Sequence, residues 1–191
     1  ATAAAVSVVL VDDEPYRLPR DVQDEIKKAI GAKAIAVREE GVSRLLVIAG
    51  SDSSAGAGLQ ADLKTAQRFG VYAQTAVTAV TVQNTRGVTA IQAMLPEIVR
   101  GQIRAALDDI GADAIKVGML ANAQIACVVA DALMETDIPL VLDPVLVSTS
   151  GSLLLEPAAL KILKYRLLPR ATLVTPNLPE SEALVDILPS D

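Results

Sequence analysis

Hydrophobic and polar positions follow two alternating patterns along most of the chain. Short apolar runs, which are typical of buried strands, occupy residues 6–11, 32–37, 45–50, 75–82, 113–118, 139–143 and 171–175. Between them, apolar residues recur every three or four positions, which predicts amphipathic helices at residues 21–30, 58–69, 96–110, 123–134 and 157–168. Repeated alternation of an apolar strand with a helix predicts an α/β fold, with a mostly parallel sheet and helices on both faces.

Composition narrows the classes of function that fit this fold. The net charge of −6 and the lack of a basic run argue against nonspecific nucleic-acid binding. No stretch reaches the roughly 18 uninterrupted apolar residues of a membrane helix, so we predict no membrane association. A single cysteine, Cys127, excludes an internal disulfide; without a basic leader, this predicts a cytoplasmic protein. Histidine is absent, which removes the usual general base and zinc ligand.

Polar or glycine-bearing loops follow the carboxyl ends of the predicted strands, where parallel sheets bind ligands. These are "GSDSS" after 45–50, "QNTRG" after 75–82, "GML" after 113–118, "DPV" after 139–143 and "PNLPE" after 171–175. In any single loop the glycines can serve the turn alone. Their recurrence at one edge of a single sheet favours a binding site.

The stretch "GSDSSAGAGLQAD" places its glycines between a strand and a helix. Backbone amides near a helix N-terminus can bind an anion, and small side chains let a flat ligand approach the backbone. The stretch has neither the Gly-Lys-Ser/Thr of a Walker loop nor the spacing of the dinucleotide fingerprint. Asp62 lies one turn inside the helix, where it either complements the helix dipole or accepts a hydrogen bond from a ligand amine.

The other loops offer further candidate side chains, each with a structural alternative. Gln83 suits the edge of a heterocycle or an ordinary turn, and Met119 forms a pocket wall or packs in the core. Asp143 either joins a metal–phosphate cluster or caps a loop. Asn177 and Glu180 direct their side chains at magnesium-bound water near a phosphate, or form a helix N-cap with an acid in the first turn.

Taken in order, several stretches resemble the hydroxymethylpyrimidine/phosphomethylpyrimidine kinases of thiamine biosynthesis, which belong to the ribokinase-like superfamily. The resemblance covers about residues 44–184 and is carried by "IAGSDSSAGAGLQADLKT", "TAVTVQNTRGV", "IKVGML", "DPV" and "LLPRATLVTPNLPE". The resemblance implies the fold of a ribokinase-like three-layer sandwich. It also implies an enzyme that phosphorylates 4-amino-5-hydroxymethyl-2-methylpyrimidine and then its monophosphate. ATP and Mg²⁺ are the implied cofactors. A pyridoxal-type kinase on the same fold is the enzymatic alternative, because its substrate is also a flat ring with a hydroxymethyl group.

The resemblance also implies roles for individual residues. In the family, the residues matching Gly50, Asp62, Gln83 and Met119 surround the aminopyrimidine. The glycines would let the ring lie against the backbone, and Asp62 would bind its exocyclic amine. Three residues are implied in phosphate and magnesium binding, the last two through water: Asp143, Asn177 and Glu180. The small-molecule pyrimidine is then the expected partner, and a homodimer is compatible with the family.

The sequence departs from the family pattern in two respects. Members of the family continue to a "KGGH"-like strand end and a glycine-rich "GTGC" turn, which supplies an anion hole and the catalytic base. We find no such turn in the 191 residues, so no catalytic base is assigned. Residues 44–191 are therefore predicted to be a truncated kinase domain, and a module that binds the pyrimidine without phosphorylating it is a further alternative. Residues 1–43 fall outside the resemblance and are predicted to be an N-terminal extension.

Overall fold

A six-stranded, mostly parallel sheet organises the chain. The computed structural model describes residues 41–146 and 156–185, and the strands lie in the order β3-β2-β1-β4-β5-β6. All neighbouring pairs are parallel except the antiparallel pair β2–β3. The strands are β1 (Arg44–Asp52), β2 (Tyr72–Asn84), β3 (Gly87–Ala93), β4 (Ala114–Val117), β5 (Leu140–Leu142) and β6 (Leu173–Val174).

The connecting helices agree with those predicted from the apolar periodicity, except that the helix at 157–168 changes type part-way and that the last helix was not predicted. They are α1 (Gly58–Arg68), α2 (Pro96–Asp109), α3 (Ala123–Met134), α4 (Pro157–Ile162) and α5 (Leu178–Val185). The predicted α-helix over 157–168 is wrong in its second half, because α4 continues as a π-helical turn, Leu163–Leu167, and a 3₁₀ turn, Leu168–Arg170. Helix α5 begins directly after Asn177, which agrees with the alternative that Asn177 is its N-cap and Glu180 lies in its first turn.

The core lies on both faces of the central strand β1. Five consecutive residues of this strand, 46–50, are buried, as expected for a parallel strand covered on both sides. Leu46 and Ile48 pack in the large cluster formed with α2, α3 and α4. Val47 and Ala49 pack with Leu59 of α1 in a smaller cluster. Burial of each large aliphatic side chain contributes roughly 1.5–3 kcal/mol. The predicted helices on both faces of the sheet are confirmed.

Strand β3 is absent from the sequence prediction. It returns alongside β2 in a hairpin that pairs Gln83 with Val88 and Asn84 with Gly87. Most residues of β3 are exposed, so the segment lacks the buried apolar run by which the other strands were recognised. Asn84 takes part in the hairpin turn, since its side chain accepts a hydrogen bond from the Arg86 amide at 2.8 Å.

The elements predicted at 6–11, 21–30 and 32–37, with most of the predicted 1–43 extension, lie outside the described residues. Among the helices that the structure describes, none combines the length and apolarity needed to cross a bilayer.

Candidate functional site

A cavity of about 180 Å³ opens at the carboxyl ends of β1, β2, β4 and β5. We call it the edge cavity. It is smaller than the roughly 300–1,000 Å³ of typical ligand pockets, which favours a small ring over a whole nucleotide. Its lining includes four of the predicted site residues, Gly50, Gln83, Met119 and Asp143, together with Asp52, Thr81, Lys116 and Val145. The convergence of these strand ends is what the position of the loops predicts.

Gly50 and Met119 form one wall of the edge cavity and depend on each other. A Cβ atom at Gly50 would lie 2.5 Å from Met119 Cε, so the glycine makes room for the thioether. The backbone of Met119 is held from β2, two strands away in the sheet, because the Thr78 hydroxyl donates to the Met119 carbonyl oxygen at 2.6 Å. Met119 is 9% exposed and therefore presents only a small apolar surface to the cavity.

Gln83 is fixed through both its backbone and its side chain. The Ser53 hydroxyl donates to the Gln83 carbonyl oxygen at 2.7 Å and accepts from the Gln83 amide at 2.9 Å. Thr81 Oγ1 lies 3.2 Å from Gln83 Oε1, which orients the carboxamide. A carboxamide held in this way offers a donor and an acceptor at the cavity.

The glycine-rich loop after β1 is wrapped around the carboxylate of Asp52. This buried carboxylate accepts hydrogen bonds from the amides of Ser54, Gly56 and Ala57 at 2.8, 3.0 and 2.8 Å, and from the Ser54 hydroxyl at 2.8 Å. Burial by itself would raise the pKa of Asp52, but the hydrogen bonds from Ser54, Ala57 and Gly56 outweigh it, and the pKa is lowered. Three of the backbone amides that could have faced an external anion, those of Ser54, Gly56 and Ala57, are thus occupied within the loop.

The loop is also tied closely to the start of α1. The Gln60 carboxamide accepts from the Asp52 amide at 2.9 Å and donates to the Ser51 hydroxyl at 2.7 Å. Gly58 has a φ of 56°, and a Cβ atom there would collide with the carbonyl oxygen of Gly50. The turn from β1 into α1 therefore needs glycine for both its dihedral angle and its close backbone approach.

Asp62 lies beside the edge cavity rather than on its lining. Helix α1 begins at Gly58, so Asp62 falls outside its first turn. Because the helix dipole acts mainly on charges in the first turn, it stabilises the Asp62 carboxylate little. Its Oδ2 atom lies 2.8 Å from the ammonium nitrogen of Lys116. Asp62 and Lys116 line a second cavity of about 280 Å³ under α1. Lys116 lines both cavities and links Asp62 to the edge cavity.

Sequence reasoning missed Lys116, although a signal was present. It is the one charged residue inside the run "AIKV" that forms β4, and a lysine in a central strand needs a polar partner. Ser53 and Thr81 were missed as well, because the contact of Ser53 with Gln83 and that of Thr81 with Ser51 each join segments 30 residues apart. Gln60 was missed because only the turn into α1 brings its carboxamide to Ser51, nine residues earlier.

Asn177 and Glu180 form a capping box at the start of α5. Asn177 Oδ1 accepts from the Glu180 amide at 2.9 Å, and Glu180 Oε2 accepts from the Asn177 amide at 2.9 Å. Neither residue belongs to the lining of the edge cavity. Over residues 41–146 and 156–185, no group of three or more histidine, cysteine or acidic side chains is arranged to hold a metal ion. The magnesium role of this pair stays a prediction.

The family model described as phosphomethylpyrimidine kinase matches residues 52–191. The chain belongs to the phosphomethylpyrimidine kinase family. One relative is the hydroxymethylpyrimidine/phosphomethylpyrimidine kinase of Mycobacterium tuberculosis. It is 53% identical over 146 residues, which cover 75% of this chain and 53% of that protein. The chain thus spans about half the length of the curated relatives it matches.

Solved structures support the fold assignment of this phosphomethylpyrimidine kinase family member. A crystal structure of phosphomethylpyrimidine kinase from Clostridium difficile 630 is 43% identical, with a TM-score of 0.71 over 76% of this chain and 63% of that chain. The pyridoxal kinase from Staphylococcus aureus in complex with AMP-PCP and pyridoxal is 36% identical, with a TM-score of 0.67 over 77% of this chain and 52% of that chain. The predicted ribokinase-like α/β fold is confirmed.

Proposed function

We propose that this chain forms the pyrimidine-binding part of an ATP-dependent kinase that acts in thiamine biosynthesis. Its substrates would be 4-amino-5-hydroxymethyl-2-methylpyrimidine and the corresponding monophosphate. The observation that carries the proposal is the edge cavity, which brings Gly50, Gln83 and Met119 together in a member of the phosphomethylpyrimidine kinase family.

Each of these residues suits a flat aminated ring. The absence of a side chain at Gly50 lets the ring approach the backbone, while the Met119 thioether provides a soft apolar contact. The Gln83 carboxamide supplies a donor and an acceptor to the ring edge. The Lys116 ammonium and the Asp143 carboxylate, 3.4 Å apart, add a charged pair for polar substituents of the ligand.

For the cofactors, we propose that magnesium and the ATP phosphates bind toward Asp143, Asn177 and Glu180. Glu180 uses its Oε2 atom in the capping box, which leaves Oε1 for a metal-bound water. Magnesium would neutralise charge on the phosphates during transfer. The cytoplasmic location and the homodimer stay predictions.

Two alternatives to this function are carried forward, and one of them is supported by a specific observation. A pyridoxal-type kinase is favoured by the similarity to the Staphylococcus aureus enzyme bound to AMP-PCP and pyridoxal. A pyrimidine-binding module without phosphoryl transfer stays a further prediction.

Calorimetry with both ring ligands, followed by an ATP-consumption assay, separates these functions. We expect the aminopyrimidine to bind more tightly than pyridoxal. Gln83→Ala should weaken that binding about tenfold, since one well-placed hydrogen bond is lost. Gln92→Ala, an exposed glutamine on β3, is the matched control and should leave the affinity unchanged.

Tighter pyridoxal binding would favour the pyridoxal-type kinase. Aminopyrimidine binding without ATP consumption would favour the binding module. If neither ring binds, the proposed function is wrong.

A further inference from the structure

The Lys116 ammonium lies between two carboxylates that belong to different elements. Its Nζ atom is 2.8 Å from Asp62 Oδ2 on α1 and 3.4 Å from Asp143 Oδ2 after β5. The three side chains are only 20%, 23% and 32% exposed, so water screens this group less than a surface ion pair. One lysine thus connects the helix, the central sheet and a loop of the edge cavity.

The path of the lysine side chain depends on a neighbouring glycine. A Cβ atom at Gly118 would lie 3.4 Å from Lys116 Nζ and 3.9 Å from its Cε. The side chain therefore runs over Gly118, toward the carboxyl end of β4. This path brings the ammonium to the boundary between the edge cavity and the second cavity, and Lys116 lines both.

We infer that Lys116 is a positioning residue that fixes the carboxylate of Asp143 for a hydrogen-bond donor on the ligand ring, with Asp62 holding the ammonium from the other side, a role that rests on the proposed function. Lys116 engages the Oδ2 atom of each carboxylate, which leaves the Oδ1 atoms for other donors. Without the ammonium, two like charges would face each other in a partly buried space and turn toward solvent. The exocyclic amine of the aminopyrimidine is the donor group that would lose its acceptor.

The test combines substitutions in the protein with removal of the amine from the ligand. Wild type, Lys116→Met, Lys116→Arg and Lys161→Met are titrated calorimetrically with 4-amino-5-hydroxymethyl-2-methylpyrimidine and with 5-hydroxymethyl-2-methylpyrimidine, which lacks the amine. Lys161→Met is the matched control, because Lys161 is exposed on α4 and lines neither cavity. Thermal melts of each variant check that the fold is retained.

We expect Lys116→Met to weaken binding of the aminated ring about tenfold, the loss typical of a hydrogen bond to a charged group. Binding of the ring without the amine should change less than about twofold. Lys116→Arg keeps the charge and should recover part of the affinity. Lys161→Met should match wild type with both ligands.

An equal loss with both rings would mean that Lys116 only supports the local structure, and it would overturn the inference while the proposed function stands. Unchanged binding of the aminated ring by Lys116→Met would overturn it as well. If wild type binds neither ring, the proposed function fails and this role fails with it.

Discussion

Among the lysines that the structure describes, two are withdrawn from solvent, yet their surroundings differ. Lys116, at the carboxyl edge of the sheet, has two carboxylates within 3.4 Å of its ammonium. Lys164, on the π-helical turn after α4, is 5% exposed, and its Nζ has no hydrogen-bond partner in the described part of the chain. The ring of the exposed Tyr165 lies near it, with 5.6 Å from Nζ to the ring centroid. Burial lowers the pKa of Lys164 from its ordinary value.

The groups around the two lysines differ in the same way, in whether buried polar atoms have hydrogen-bond partners. At the sheet edge the buried carboxylate of Asp52 has four donors, and the buried Glu180 bonds to the Asn177 amide. A buried polar group with partners stabilises one geometry, whereas one without partners costs free energy. Polar groups at the edge are thus held in fixed positions, as a binding site requires. The helical layer tolerates an unsatisfied amine, because its stability comes from apolar packing.

The largest expected effect comes from the turn that gives the edge cavity its shape. Gly58→Ala should lower the free energy of unfolding by about 3 kcal/mol, because a side chain there meets the Gly50 carbonyl oxygen at a positive φ. Chemical denaturation measures the loss.

Two other glycines serve as controls for this prediction. Gly50→Ala should cost less stability, since only the flexible end of Met119 must move, but it should impair ligand binding. Gly101 lies inside α2, and a Cβ atom there would meet open space. Gly101→Ala should therefore raise the free energy of unfolding by up to about 1 kcal/mol. A Gly58→Ala variant as stable as wild type would show that the turn is adaptable.

The next effect concerns the buried carboxylate of the same loop. Asp52→Asn should cost about 2 kcal/mol near neutral pH, because an amide group would face backbone donors in place of an acceptor. The folded state lowers the pKa of Asp52, so its contribution is complete above the unfolded pKa and is lost as pH falls through the folded value. The difference between the two proteins should therefore shrink below about pH 4.

Unfolding curves at several pH values test this expectation. Asp137→Asn, at an exposed carboxylate in the loop before β5, should change stability by less than about 0.5 kcal/mol throughout. A difference between wild type and Asp52→Asn that persists unchanged into acid would contradict the role assigned to the charge.

Neither lysine was recognised from the sequence, whereas several elements of the fold and part of the site were. Strand β1, with its consecutive buried residues, and helices α1, α2 and α3 were predictable, because local apolar periodicity specifies them. The convergence of Gly50, Gln83, Met119 and Asp143 followed from the placement of loops at one edge of a parallel sheet. These are properties that each segment carries by itself.

The remaining features depend on contacts between distant segments. The Asp52-centred loop was missed because "GSDSS" has the composition of an anion loop, and only the folded chain brings the Asp52 carboxylate to its amides. The position of Asp62 depends on Lys116, which is 54 residues away in sequence. The π-helical turn departs from the period of 3.6 residues by which helices are recognised.

A smaller effect is expected at the capping box of α5. Asn177→Ala should cost about 1 kcal/mol, because the Glu180 amide loses its side-chain acceptor. Glu180→Gln keeps a side-chain acceptor for the Asn177 amide and should cost less. Thermal unfolding of both variants provides the measurement. Equal costs would mean that the Glu180 charge, rather than the reciprocal hydrogen bonds, holds this turn.

The smallest expected change has the opposite sign and addresses the other lysine. Lys164→Met should raise the melting temperature at pH 7, because it removes a buried ammonium that has no hydrogen-bond partner within residues 41–146 and 156–185. The methionine keeps most of the aliphatic volume. The pKa of Lys164 is lowered in the folded state, so wild-type stability rises as pH increases through that value toward the unfolded pKa. The advantage of the methionine variant should therefore diminish at alkaline pH, whereas Lys161→Met should show no such trend. A lower melting temperature for Lys164→Met at pH 7 would mean that the ammonium is stabilised after all, and the contrast with Lys116 would then be one of degree.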